Sequence, residues 1–360
     1  MERAAIRARG AQLRALFEAE GAQVVETGIL QPAEVLLDLY GEDIRARAYV
    51  TSDALRGEQM LRPDFTVPVV QMHMAYGAEP ARYTYAGEVF RRQEDDADRA
   101  NEYIQVGYEV FDRENPVDAD AEVFTLIRRA LGDAPLRAAT GDIGVLMAAV
   151  DGLQTTDARK AALRRHIWRP RRFRALIDRY AGRAPVPPAR AALLSVSDPF
   201  DGLPPEIGVR SQAEVAARVA ALRADAEAAP LAERDVLLLD AILSVRESLP
   251  NAIEHLRDIA VDLPAIDPAV ERVAARMRAL EKRGVDVERL DFEASYGRTS
   301  MEYYDGFVFG FYAENRADLP AVATGGRYDA LTRVLGQGAE IPAVGGVIRP
   351  GLLLELEGSK

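Results

Sequence analysis

Cysteine is missing from all 360 residues of this chain. That absence excludes disulfides, iron–sulfur ligation and thiolate zinc sites. Histidine is nearly as scarce. His73, His166 and His255 stand far apart, so a histidine-based metal site is not expected, and no cofactor is. No apolar run approaches the roughly 20 residues that cross a bilayer, and the opening MERAAIRARG has no signal-peptide core. No membrane partner is expected, and the expected location is the cytoplasm. Lysine occurs only at Lys160, Lys282 and Lys360, which leaves arginine nearly all the positive charge. Acidic residues still lead, 57 against 45, and the net charge of −12 is the reverse of a nucleic-acid-gripping surface. A local basic cluster at 164–174, RRHIWRPRRFR, runs against this trend. It suits nucleic acid or an acidic partner, or is simply a solvated helix end.

What is present is a globular composition, 48% hydrophobic and 28% charged, long enough for one large domain or two ordinary ones. Residues 2–20 place Ile6, Leu13 and Phe17 on one face of a predicted helix, closed by Gly21. A strand is predicted over 22–30, stopped by Pro32, then a short helix over 36–40 and a strand over 48–52. In MLRPDFTVPVVQMHMAY (60–76), Pro63 forces an extended entry to a helix over 67–74 with Pro68 in its first turn. Asp64 and Thr66 stand just ahead of it, as N-capping residues or as ligand contacts. Residues 118–131 predict an amphipathic helix with acids first and arginines last, and 136–153 a strand and a helix.

From 159 to 284 strand signals fade and Ala, Leu and Arg dominate. Ser211 and Glu214 form a capping box ahead of a stripe of Val215, Val219 and Leu222. Asp267 as N-cap, Pro268 at N1 and Gly284 past the end frame a helix striped by Val270, Val273, Met277 and Leu280. Strand character returns at 287–294 and within 300–312, where Asp305 and Gly306 read as a tight turn or a bulge. A strand at 321–323, a turn at Gly325 and Gly326, and a helix over 328–335 follow. A glycine-rich strand, Arg349 and a helix opened by Pro350 end the chain.

The rest is organised around residues 82–113, RYTYAGEVFRRQEDDADRANEYIQVGYEVFDR. Two strands, 83–91 and 103–112, are predicted on either side of a charged loop. Alternation puts Gln105, Gly107, Glu109 and Phe111 on one face of the second strand and Tyr85, Gly87, Val89 and Arg91 on one face of the first. An amide, a carboxylate and an arginine with glycines between them form the floor of a small polar pocket, or else the outer face of a solvated hairpin.

LRPDFT (61–66), FRRQ (90–93), YIQVGYEVF (103–111), SMEYY (300–304), TGGRYDAL (324–331) and VGGVIR (344–349) occur in the order seen in histidyl-tRNA synthetases. The resemblance covers about 1–155 and 285–360. It implies an α+β fold of class II aminoacyl-tRNA synthetase type, an antiparallel sheet flanked by helices, dimerising through its N-terminal helix and strand. The implied domain is built from 1–158 and 285–360, with 159–284 as an inserted helical subdomain. It also implies roles. Asp64 and Thr66 match the segment that holds a histidine amino group, Gln105 and Glu109 match histidine-pocket residues, and Tyr303 and Tyr304 match the aromatic pair beside the imidazole. Arg91 matches the motif 2 arginine that meets carboxylate and α-phosphate, and Arg349 the motif 3 arginine that meets ATP.

Departures from the synthetase pattern alter the implied function. No residues remain after Arg349 for a tRNA-reading domain, and Glu94, Asp95, Asp96 and Asp98 make the hairpin loop a poor surface for a triphosphate. Gln93 replaces a motif 2 glutamate, and the histidine-specific arginine falls on Thr299, with Arg298 one residue out of register. Such a chain resembles the regulatory subunits of short-form ATP phosphoribosyltransferase. The resemblance implies a non-catalytic partner of the short catalytic subunit in a hetero-octamer, activating it at the first step of histidine biosynthesis and carrying histidine feedback. No nucleic acid partner is then expected, and Arg91 and Arg349 would be a vestigial ATP site. An amino-acid-activating ligase with a non-tRNA acceptor and a split histidyl-tRNA synthetase are the alternatives.

Overall fold

The computed structural model describes residues 2–34, 48–92, 99–201, 208–298 and 303–358. The helix predicted over 36–40, Gln93, the acidic loop residues 94–98 and Thr299 lie outside these. Helix α1 (Arg3–Ala19) leads to strands β1 (Gln23–Val24), β2 (Leu30–Pro32), β3 (Val50–Asp53) and β4 (Gly57–Leu61), then α2 (Thr66–Tyr76). The hairpin is β5 (Ala81–Phe90) and β6 (Glu102–Phe111), followed by α3 (Pro116–Leu131), β7 (Leu136–Asp142) and α4 (Ile143–Gly152). The helical stretch holds α5 (Asp157–Arg165), α6 (Pro170–Tyr180), α7 (Pro188–Ser195), α8 (Gln212–Glu227) and α9 (Glu233–Ser244). After β8 (Arg246–Ser248) come α10 (Leu249–Asp262) and α11 (Asp267–Lys282). The chain closes with β9 (Asp291–Glu293), β10 (Phe307–Ala313), β11 (Ala323–Arg327), α12 (Asp329–Leu335), β12 (Ala343–Ile348) and α13 (Pro350–Glu357).

The main sheet has nine strands in the order β1-β5-β6-β12-β11-β10-β7-β9-β8, and β2-β4-β3 form a smaller one. Every pairing in the main sheet is antiparallel except β1 with β5 and β7 with β9. One face is apolar because alternation puts Val106, Tyr108 and Val110 there. Phe17 of α1 meets Tyr108 at 5.3 Å between ring centres, and Phe124 of α3 meets Phe309 and Phe311 at 5.4 and 5.2 Å. Aromatic bulk of this kind dominates core energetics. The opposite face carries the pocket residues.

A buried charge network ties α11 to the sheet. Arg276 donates through Nε to Asp120 of α3 at 2.9 Å and through Nη2 to Asp142 of β7 at 2.8 Å. Arg327 of β11 donates to the same Asp120 at 2.7 and 3.0 Å. Each of the two guanidiniums is thus matched by buried carboxylates, which is what permits burial of charge.

Several sequence expectations are corrected. The strand predicted over 22–30 is broken into β1 and the first residue of β2, and Pro32 is the last residue of β2, at the edge of the three-stranded sheet where its missing N–H is harmless. Asp267 is the first helical residue of α11, because a 3-10 turn at Pro264–Ile266 runs straight into it. β8, within the stretch predicted to lack strands, forms the far edge of the main sheet. Gly325 and Gly326 are not a turn but the middle of β11. A Cβ on Gly326 would lie 2.7 Å from the Tyr304 ring, so the glycine serves close packing. Of the α8 stripe only Val219 is buried, and Val215 is exposed. The capping box at Ser211 and Glu214 forms as expected.

Candidate functional site

Glu109 sits on β6, opposite Tyr83 on one neighbouring strand and Gly345 on the other. Its relative exposure is 1% and that of Gln105 is 2%, so the solvated-hairpin reading is wrong. Three hydroxyls converge on the Glu109 carboxylate. Thr66 and Tyr85 donate to Oε1 at 3.1 and 2.7 Å, and Tyr328 donates to Oε2 at 2.6 Å. Burial pushes the carboxyl up to about 7, against the opposing pull of the three donors, with the charge of Asp64 adding to the rise. Burial next to Glu109 also raises the phenols of Tyr85 and Tyr328 well above their ordinary value. Gly345 makes the arrangement possible, since a Cβ there would lie 1.4 Å from Glu109 Oε2.

The segment before α2 is clamped over this carboxylate. Arg62 donates to the carbonyls of Glu88 (2.8 Å) and Thr27 (2.6 Å) and lies 3.9 Å over the Phe65 ring, which stacks on Tyr85 at 4.2 Å. Arg91, one residue past β5, donates to the Pro63 carbonyl at 2.6 Å and stands 3.8 Å from Asp64. Asp64, a buried carboxylate, also accepts the Val67 N–H at 3.4 Å, although the N-cap position itself is Phe65 and Thr66 is the first residue of α2 rather than a cap ahead of it. Tyr303 and Tyr304 are buried, with ring centres 5.0 Å apart, and Tyr303 lies 6.1 Å from Tyr328. Glu109, Asp64 and Arg91 are all electrostatic neighbours of Tyr304, whose phenol is raised first by burial. Six of the predicted residues therefore share one locale: Asp64, Thr66, Arg91, Glu109, Tyr303 and Tyr304.

Gln105 lies two residues from Gly107 on the Glu109 face, opposite Gly87, and its Oε1 has no hydrogen-bond partner among the described residues. Arg349 follows β12. Its guanidinium is 5.4 Å over Tyr103, and its pKa is lowered by burial and by the nearby charges of Arg91 and Arg99. It belongs to a basic margin of the site, apart from the hydroxyl-lined carboxylate. Arg298 is absent from the pocket. It is buried against the helical stretch, with Nε donating to the Ile167 carbonyl at 2.8 Å and its guanidinium 4.9 Å over Phe173.

Sequence reasoning missed Tyr85 and Tyr328 as partners of Glu109. The signal for Tyr85 was its place on the same strand face as Gly87, and for Tyr328 its place within GGRYD. Taken together the site offers one buried carboxylate of adjustable charge, a second carboxylate beside an arginine, an unsatisfied amide oxygen and aromatic walls. It can take up a small zwitterion with a second N–H donor. Among the described residues no cluster of metal-ligating side chains occurs.

The family model for histidyl-tRNA synthetase matches residues 1–204 and 206–350. A relative from Brucella canis, called ATP phosphoribosyltransferase regulatory subunit, is 32% identical over 373 residues, covering 97% of this chain and 96% of the relative. Among solved structures, an ATP phosphoribosyltransferase regulatory subunit/histidyl-tRNA synthetase from Bacillus halodurans superposes with a TM-score of 0.67 at 22% identity, over 98% of this chain and 79% of that one. A histidine–tRNA ligase subunit from Alicyclobacillus acidocaldarius superposes with a TM-score of 0.60 at 23% identity, over 99% of this chain and 93% of that one. These two likenesses concern the fold.

Proposed function

This chain belongs to the histidyl-tRNA synthetase family, among its ATP phosphoribosyltransferase regulatory subunits, and we propose that it is the non-catalytic partner of a short-form catalytic chain. In this role it assembles with that chain, activates it at the first step of L-histidine biosynthesis in the cytoplasm, and carries feedback by histidine. The observation that carries the reading is the end-to-end similarity to a relative of that name, 97% of one chain against 96% of the other.

The pocket supports histidine as the effector. Asp64 and Thr66 would receive the ammonium, Gln105 Oε1 a further N–H, and Arg91 the carboxylate. Glu109 would accept an imidazole N–H, with Tyr303 and Tyr304 as walls. Glu109 then exchanges a proton for a ligand donor, and a buried carboxylate poised near neutrality does so at little cost. For feedback, histidine must bind the inhibited assembly better than the active one, and the coupling is reciprocal. Residues 159–284 act as an insertion between the two parts of the domain, and self-association runs through α1 and β1 within a hetero-octamer.

A second reading, an adenylate-forming ligase with a non-tRNA acceptor, draws on Arg349, which lies over Tyr103 and feels the charges of Arg91 and Arg99, a cluster able to meet phosphate. Reconstitution separates the two. Adding the purified chain to a short catalytic subunit should raise phosphoribosyl transfer to ATP, and histidine should lower it again. A catalytic subunit whose rate ignores this chain would overturn the regulatory reading.

A further inference from the structure

The basic cluster at 164–174 divides into two populations. Arg164 pairs with Asp151, and Arg174 with Asp178 and Asp240. Arg165, Arg171 and Arg172 are exposed and pair with no described residue. The three flank the junction where α5 ends and α6 begins. His166 lies at the same junction, and its Nδ1 is buried without a hydrogen-bond partner among the described residues. Burial, then the charges of Arg169, Arg172 and Arg165, push the His166 pKa down, so the positive charge of both helix ends reaches this junction. The N-terminus of α6 adds the positive end of a helix dipole.

This junction is fixed to the pocket from behind. Ile167 and Phe173 are buried, Trp168 Nε1 donates to the Tyr304 carbonyl at 3.1 Å, and Arg298 donates to the Ile167 carbonyl at 2.8 Å. Trp168, between Arg165 and Arg171 in the chain, thus bonds directly to the backbone of a residue of the proposed histidine site.

We infer that Arg165, Arg171 and Arg172 form the docking surface for an acidic segment of the catalytic subunit. The inference rests on the regulatory-subunit reading. Outward-facing guanidiniums spread over eight residues fit several carboxylates along a surface better than one phosphate held by converging donors. A chain of net charge −12 repels acidic protein, so a local positive patch fixes where such a partner lands and how it is oriented.

The test compares the full-length chain with its R165E/R172E variant in binding the catalytic subunit, by sedimentation at ~50 and ~300 mM salt. The expected result is a loss of at least about tenfold in affinity at low salt and a flattened salt dependence, with R289E as an exposed-arginine control that binds normally. R165Q/R172Q should lose affinity in the same direction by a smaller factor, and circular dichroism should show native folding for all variants. Wild-type affinity and salt dependence in R165E/R172E would overturn the docking surface while leaving the regulatory reading intact. Loss of RNA binding with assembly unchanged would also overturn it, assigning the patch to nucleic acid. Failure of the wild-type chain to bind the catalytic subunit at all would remove the regulatory reading, and the docking surface with it.

Discussion

At the scale of single residues the molecule turns on the charge of Glu109. Its carboxyl titrates near 7 in the folded chain against an ordinary value of 4.5, raised by burial. A raised carboxyl binds more protons folded than unfolded, so its contribution is fully present below the unfolded value and is lost as pH climbs through 7. The full loss is about 3 kcal/mol. Asp305, pushed up to about 7 by burial and by the charge of Asp329, adds a decline of the same sign. Urea unfolding at pH ~5 and ~8 should therefore show a smaller fall in stability for Glu109→Gln than for wild type, with the Asp305 share remaining. Identical falls in both proteins would contradict the burial argument. Gly345→Ala is expected to displace the Glu109 side chain, cost about 1–3 kcal/mol in the same assay and abolish histidine binding by calorimetry. Strand alternation and motif order made Glu109 and Gln105 legible in the sequence. The two tyrosine donors were not, because Tyr85 and Tyr328 reach the carboxylate from other elements, and one strand's period says nothing about cross-strand partners.

At the scale of elements, what positions the site is the grip of helices on the sheet. Arg276 of α11 is held between Asp120 and Asp142, both almost fully buried. Arg276→Met leaves Asp142 without its guanidinium and should destabilise the protein by about 3–5 kcal/mol in thermal unfolding. A loss under about 1 kcal/mol would mean that the pair is solvated in solution. Trp168→Phe removes the bond to the Tyr304 carbonyl while keeping an aromatic, though smaller, ring. Calorimetry should then show histidine binding weakened by roughly 0.5–1.5 kcal/mol, with assembly unaffected. Long amphipathic elements such as α1, α3 and α11 were readable from their stripes. Some short ones, such as α12 and α13, were readable from their flanking residues, but others were not. β8 has three residues and no period to detect, and Gly325 and Gly326 carry turn chemistry in a strand whose neighbours leave no room for side chains.

At the scale of the whole molecule, the sheet of a histidyl-tRNA synthetase-like fold carries a buried carboxylate pocket that we propose as a histidine site. Arg298 is drawn out of the pocket to the helical stretch, where it links a site segment to the proposed docking surface. The order of six short motifs was enough to recognise the fold from sequence, and three of them, at 103–111, 324–331 and 344–349, place glycines in neighbouring strands at fixed register. The direction of Arg298 was not legible, since it depends on contacts across more than a hundred residues. The central claim is that histidine is sensed here and not activated. Histidine-dependent exchange of pyrophosphate into ATP by the purified chain tests it most directly. Exchange at background with saturating histidine is the predicted result, and robust histidine-dependent exchange would contradict the account.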